Sequence, residues 1–183
     1  MNLGLTLLPL SPYLLEGMES SLILSENQIS QKILRMAYEI YENNLKEKEI
    51  IIAGIEGQGT VLAKSLAKAV EKISPVKVIL VKISIDKEKP ESSEITIDQE
   101  PKILKKKVII LVDDVLNTGR TFAYGMRPFL SFDVKKIEVA VLVDRGHTLF
   151  PVSAKYRGYE LSTTLNETII VNLESQKKGV YLE

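Results

Sequence analysis

The sequence predicts an α/β fold: a mostly parallel central sheet with helices on both faces, plus a small flap. Three observations carry that prediction. Short apolar runs of strand length alternate with segments of helical period, in the order β-α-β-flap-β-α-β. The run Val108–Val112 is apolar without alternation, as suits a parallel strand covered on both faces. Polar clusters follow the strand ends, at Glu56–Gly59, Asp113–Thr121 and Asp144–His147, and open α/β sheets seat their ligands at such ends.

Residues 1–21 read as an N-terminal arm that precedes a single domain over 22–183. Leu3–Leu15 is apolar but broken by Pro9 and Pro12, and no Lys or Arg precedes Lys32, which argues against a secretory signal. The arm is expected either to pack on a neighbour or to be bypassed by a translational start at Met18. Ser25 followed by Glu26 marks a helix start, and Ile29, Ile33, Met36, Ala37 and Ile40 form one stripe on a helix running to about Leu45. Ile50–Ala53 is a short buried strand and Gly54–Gly59 a loop. Thr60–Ile73 is a second amphipathic helix, closed by Ser74 and Pro75, and Val76–Ile85 is the next strand.

Residues 86–107 are polar, with only Ile95, Ile97, Ile103 and Leu104 able to pack, so they predict a mobile flap or a thinly covered hairpin. Lys105–Lys107 reads as a solvated turn. After Val108–Val112 a helix is expected from Phe122, kinked or stopped near Arg127 by Pro128. Ile137–Val143 is another buried strand, and Ala154–Arg157 and Thr168–Leu173 are short ones.

Composition removes several functions. The chain has no cysteine, which excludes disulfides, thiolate metal sites and cysteine nucleophiles and fits a reducing cytoplasm. Lys+Arg and Asp+Glu each number 24, so no bulk charge draws the protein to nucleic acid or to an anionic membrane. No apolar run approaches the ~20 residues that span a bilayer. Gly57-Gln58-Gly59 is followed by Leu62 where a dinucleotide fingerprint needs a third glycine, and no Gly-Lys-Ser/Thr occurs. His147 is the only histidine, so a histidine-rich metal site is impossible.

The stretch from Val108 to Thr121 carries the chemistry. Two adjacent carboxylates, Asp113 and Asp114, end a buried strand, where burial is costly unless a metal, hydroxyls or donors meet them. Asn117–Thr121 then offers hydroxyls and backbone N–H groups at a helix start, a natural seat for an anion.

VIILVDDVLNTGRT resembles the phosphoribosyl-diphosphate (PRPP) motif of the type I phosphoribosyltransferases. ILSENQISQKILRMAYEI, IAGIEGQGTVLAKSLA, VDDVLNTGRTFAYGMRPFL and VAVLVDRGHTLFPVSAKYRG run in the order seen in one subgroup, the bifunctional pyrimidine-operon attenuator/uracil phosphoribosyltransferases. The resemblance covers about Leu22 to Glu174. It implies a Mg²⁺-dependent transfer of ribose 5-phosphate from PRPP to a nucleobase, uracil being the expected acceptor, with release of pyrophosphate. Asp113 and Asp114 would address the ribose hydroxyls and meet the metal indirectly, through those hydroxyls or water. Asn117, Thr118, Gly119, Arg120 and Thr121 would cradle the 5′-phosphate, and Ile55, Glu56, Gly57, Gln58 and Gly59 would face the pyrophosphate. Asp144, Arg145, Ser162 and Thr163 would form the base pocket, with Arg145 also assisting catalysis. A homodimer or higher assembly is implied as well.

The departures shape these expectations. Gly57 and Gln58 stand where the subgroup carries threonine and arginine, and the flap has Asp86-Lys87-Glu88-Lys89 in place of a tyrosine-arginine-aspartate cluster. Tyr38, Thr148, Ser153 and Tyr159 replace basic residues of the RNA-contacting surface, of which Arg35 and His147 remain, so RNA is not expected as a partner. The alternative reading is a PRPP- or nucleotide-binding regulator without turnover.

Overall fold

The computed structural model describes residues 20–164, 167–175 and 177–183. The expected arm lies outside them apart from Ser20 and Ser21, and Ser21 already opens strand β1 (Ser21–Ser25). Then follow α1 (Glu26–Glu42), β2 (Glu49–Ile55), α2 (Gln58–Ile73), β3 (Lys77–Ser84) and β4 (Thr96–Ile97). A 3₁₀ turn at Pro101–Leu104 leads to β5 (Val108–Leu116), α3 (Arg120–Gly125), α4 (Arg127–Leu130) and β6 (Lys136–Asp144). The chain closes with β7 (Tyr156–Glu160), β8 (Ile169–Asn172) and β9 (Gly179–Leu182).

The main sheet has the order β4-β3-β2-β5-β6-β7, parallel throughout except for β4 at one edge. The mostly parallel sheet is therefore as expected, and the polar stretch after β3 does contain a minimal hairpin partner in β4. A second sheet, β1-β9-β8, is antiparallel and forms a hood. Among the described residues no helix is long and apolar enough to cross a membrane.

Successive strand residues feed two cores, which explains runs that lack alternation. Ile50, Ile52, Ile110 and Val112 face α1, α2 and the hood, whereas Ile51, Ala53, Ile109 and Leu111 face Phe122, Phe129 and Leu104. Helices cover both faces, although α3 and α4 are short. Their break at Met126, with Pro128 in the first turn of α4, is the interruption that the proline predicts.

Several boundaries differ from expectation for local reasons. α1 starts with a capping box between Ser25 and Gln28, and it ends at Glu42, not Leu45. The amides of Asn43 and Asn44 donate back to the carbonyls of Glu39 and Ile40 and stop it there. β2 continues through Gly54 and Ile55, which were expected to lie in a loop. Gly54 serves close packing, since a Cβ there would stand 2.8 Å from the Ala63 Cβ and the Thr60 Cα of α2. The expected six-residue loop shrinks to Glu56 and Gly57, and Gln58 already belongs to α2. β7 begins two residues later than expected, and the sequence reading contained neither β1 nor β9.

Candidate active site

β5 does not stop at its acid pair. It runs on to Leu116 beside β6, with Leu116 paired to Asp144, and the Arg145 N–H donates to the Leu116 carbonyl. This register brings Asn117–Thr121 and Arg145–His147 side by side at the carboxyl ends of the strands.

Asp113 is 3% exposed, and Asp114 is partly exposed. Burial first, and the Asp114 charge second, raise the Asp113 carboxyl well above its ordinary range, while the Lys87 ammonium works against both. Lys87 reaches in from the flap, with Nζ 2.9 and 3.0 Å from the Asp113 carboxylate oxygens and 3.9 Å from Asp114 Oδ1. The Asp114 N–H donates to Asp113 Oδ1. Gly59, in the first turn of α2, lies against the same carboxylate: a Cβ there would come within 2.6 Å of Asp113 Oδ1.

The expected anion cradle spans the junction of β5 and α3. Gly119 adopts a left-handed conformation (φ 80°) that turns the chain from β5 into α3, and the Arg120 N–H donates to Thr118 Oγ1. First-turn N–H groups have no intrahelical partner, and the first-turn residues of α3 line a cavity of about 430 Å³. Lys87, Asn117, Thr118, Gly119, Arg120 and Thr121 line this cavity together with Phe122, Leu149 and Phe150. The N–H groups of Leu149 and Phe150 both donate to the Thr118 carbonyl, so the segment after His147 holds the cradle from its far side. A second cavity, of about 490 Å³, shares Asn117, Thr118 and Leu149 and is bounded by Arg145, Gly146, His147 and Thr148.

The remaining predicted residues divide. The Arg145 guanidinium lines the second cavity but donates to Thr163 Oγ1 (2.9 and 2.6 Å) and to the carbonyls of Thr164 and Glu167. His147 Nε2 lies 2.7 Å from the Thr163 carbonyl oxygen. Thr163 thus anchors this side, whereas Ser162 is exposed and lines neither cavity. Asp144 is buried; its Oδ1 accepts from the Gly146 N–H, and Arg157 lies 3.8 Å from its Oδ2.

On the expected pyrophosphate side, the Ile55 side chain belongs to the core. Hydrogen bonds from Lys82 and then Ser84 hold the Glu56 carboxyl below its ordinary range. Gln58 Oε1 accepts the Leu173 N–H of the hood at 3.0 Å. Gly57, at φ 95°, requires its freedom from a side chain. Sequence reasoning missed the contacts of Lys87 and the supporting role of Leu149 and Phe150. No period or motif marks them; a position in a polar stretch is all the sequence offers.

A family model described as a phosphoribosyl transferase domain matches residues 20–177. The bifunctional protein PyrR of Bacillus pumilus (strain SAFR-032) is 35% identical over 164 residues, covering 85% of this chain and 91% of that protein. The protein of the same name from Clostridium acetobutylicum is 36% identical over 161 residues, 83% of this chain and 89% of that one. A hypoxanthine phosphoribosyltransferase of Trypanosoma cruzi superposes with a TM-score of 0.73 at 14% identity, over 88% of this chain and 95% of that one. At that identity the likeness speaks for the fold alone.

Proposed function

The chain belongs to the phosphoribosyltransferase family, and from that membership we propose that it transfers the ribose 5-phosphate of PRPP to a pyrimidine base, uracil, with Mg²⁺, releasing pyrophosphate. The observation that carries this reading is that Lys87, which contacts the buried Asp113 and lies near Asp114, also lines the cavity of the Asn117–Thr121 cradle, so the acid pair and the cradle stand together. The similarity to two proteins named bifunctional PyrR supports the choice of a pyrimidine.

The donor set fits a hard divalent cation shared with substrate. Two carboxylates stand together, and among the described residues no group of three or more acidic or histidine ligands exists. Asp113 and Asp114 would therefore hold Mg²⁺ indirectly, through the ribose hydroxyls or water. When bound, it neutralises charge on the leaving pyrophosphate.

The chain's own residues do the rest. The acid pair orients the ribose hydroxyls and lies close to the positive charge that develops on the sugar. The cradle grips the 5′-phosphate, remote from the bond that breaks, and its binding energy positions the sugar. Arg145 acts on the base side through Thr163, Thr164 and the Glu167 carbonyl, which it holds in place. The turn after β2 contributes backbone alone, because Gln58 holds the hood and Glu56 pairs with Lys82. That lack of a free cation favours one second reading, a regulator that binds PRPP without turnover.

Pyrophosphate release from PRPP and Mg²⁺, measured across a panel of bases, separates the two. Turnover is expected with uracil and is expected to vanish in Asp113→Asn and Asp114→Asn. PRPP binding without turnover on any base would sink the enzymatic reading and leave the regulatory one.

A further inference from the structure

The proposed PRPP site has two charged ends of opposite sign, the acid pair within β5 and Arg120 opening α3. One turn of the flap already meets both. Lys87 contacts the Asp113 carboxylate at 2.9 and 3.0 Å, and four residues on Glu91 Oε2 meets Arg120 Nη2 at 2.5 Å. This turn is not a loose excursion. Asp86 Oδ1 accepts the N–H groups of Glu88 and Lys89, Ser92 bonds back to the Lys89 carbonyl, and the buried Pro90 pins the middle. Lys87 moreover lines the cradle cavity itself.

We propose that Lys87 and Glu91 form a strap that occupies the PRPP site in its ligand-free state and lowers its apparent affinity for PRPP. This rests on the functional reading above. Lys87 stands where ribose hydroxyls and the metal must approach the acids, and Glu91 holds the arginine at the mouth of the phosphate cradle. A ligand bearing both a phosphate and a sugar diol replaces both contacts at once. A nucleoside or inorganic phosphate replaces only one and leaves the strap tethered at its other end. PRPP must therefore displace both contacts, and the strap lowers its apparent affinity. Lys87, Glu91 and Arg120 are all around two-fifths exposed or more, so the contacts are individually weak and reversible. Apparent affinity then equals intrinsic affinity reduced by the fraction of open strap.

Two variants separate the strap from simple charge repulsion of phosphate. Glu91→Gln removes the charge, whereas Glu91→Asp keeps it and shortens the reach to Arg120. Calorimetric titration with PRPP and Mg²⁺ should show both binding about twofold to fivefold more tightly than wild type, with Glu88→Gln, on the same turn, unchanged. A wild-type affinity in Glu91→Asp, or weaker binding in either variant, overturns the strap. Hydrogen exchange at residues 87–92 of the ligand-free protein provides a readout that needs no substrate. It should be faster in Glu91→Gln than in wild type, and equal rates overturn the strap even if PRPP binds. Absence of PRPP binding in wild type and variants alike, with the exchange difference present, would instead count against the functional reading.

Discussion

Asp113 and Gly59 are a pair in which one residue's chemistry depends on the other's lack of a side chain. The carboxylate is buried beneath the first turn of α2, and the space that admits it is the missing Cβ of Gly59, which would also stand 3.0 Å from the Val112 carbonyl oxygen. Neither that carbonyl nor the Asp113 Cα, also 3.0 Å away, can move aside without disturbing β5. Gly59→Ala is therefore expected to lower stability by about 1–3 kcal/mol, the range for overpacking, as measured by urea unfolding. PRPP binding should weaken in the same variant, because the helix and the carboxylate must separate. Asp113 was legible in the sequence, since two acids at the end of an apolar run have no packing explanation. Gly59 was legible only as a turn glycine, because the need for close approach arises from a strand more than fifty positions away.

At the scale of elements, the first turn of α2 is a junction. Its Gln58 side chain accepts the Leu173 N–H from the hood, so the helix that shelters Asp113 also fixes the small sheet to the large one. Gln58→Ala removes the acceptor and leaves the Leu173 N–H without it. The expected loss is about 0.5–1.5 kcal/mol, confined to the hood. Amides of residues 169–172 should exchange faster while those of β2 and β5 keep their protection. The elements of the large sheet could be read because their apolar runs are long and Ser25, Pro75 and Pro128 punctuate them. β1 and β9 could not. Each is five residues or fewer, and β1 carries a register irregularity between Leu22 and Leu24 that breaks the alternation a strand needs to be recognised. Arg145 was identified as a site residue, but its attachment to Thr163, Thr164 and Glu167 depends on a loop with no periodic signal.

For the molecule as a whole, the two ends of the sheet have different tasks. The carboxyl ends hold the candidate site; near the opposite end of β6, Glu138 is buried in a polar network. Tyr156 donates to it at 2.8 Å, and Lys136, Lys155 and Asn44 surround the same carboxylate. Burial raises the Glu138 carboxyl, but the hydrogen bonds from Lys136, Lys155, Tyr156 and Asn44 more than offset it and hold the group below its ordinary value of 4.5. Burial, with Glu138 beside it, keeps the Tyr156 phenol protonated. A depressed folded value means that this contribution is fully present above the unfolded value and is lost as pH falls through the folded one. Unfolding midpoints in urea should therefore fall as the pH drops below about 4.5. Glu138→Gln should be less stable at neutral pH by about 1–3 kcal/mol, with a shallower acid dependence.

The hood also imposes an order in time. Among the described residues β1 has β9 as its only sheet neighbour, and Ser21 pairs with Leu182, so the first described strand waits for the last. As the chain leaves the ribosome, β2, β3, β5 and β6 are complete while β9 is still to be made, and domains fold in that direction of synthesis. The strands that carry the acid pair and lead into the cradle are therefore synthesised before the hood is complete. The large sheet can collect its strands one after another, whereas the hood depends on the slow closure of a loop nearly as long as the protein.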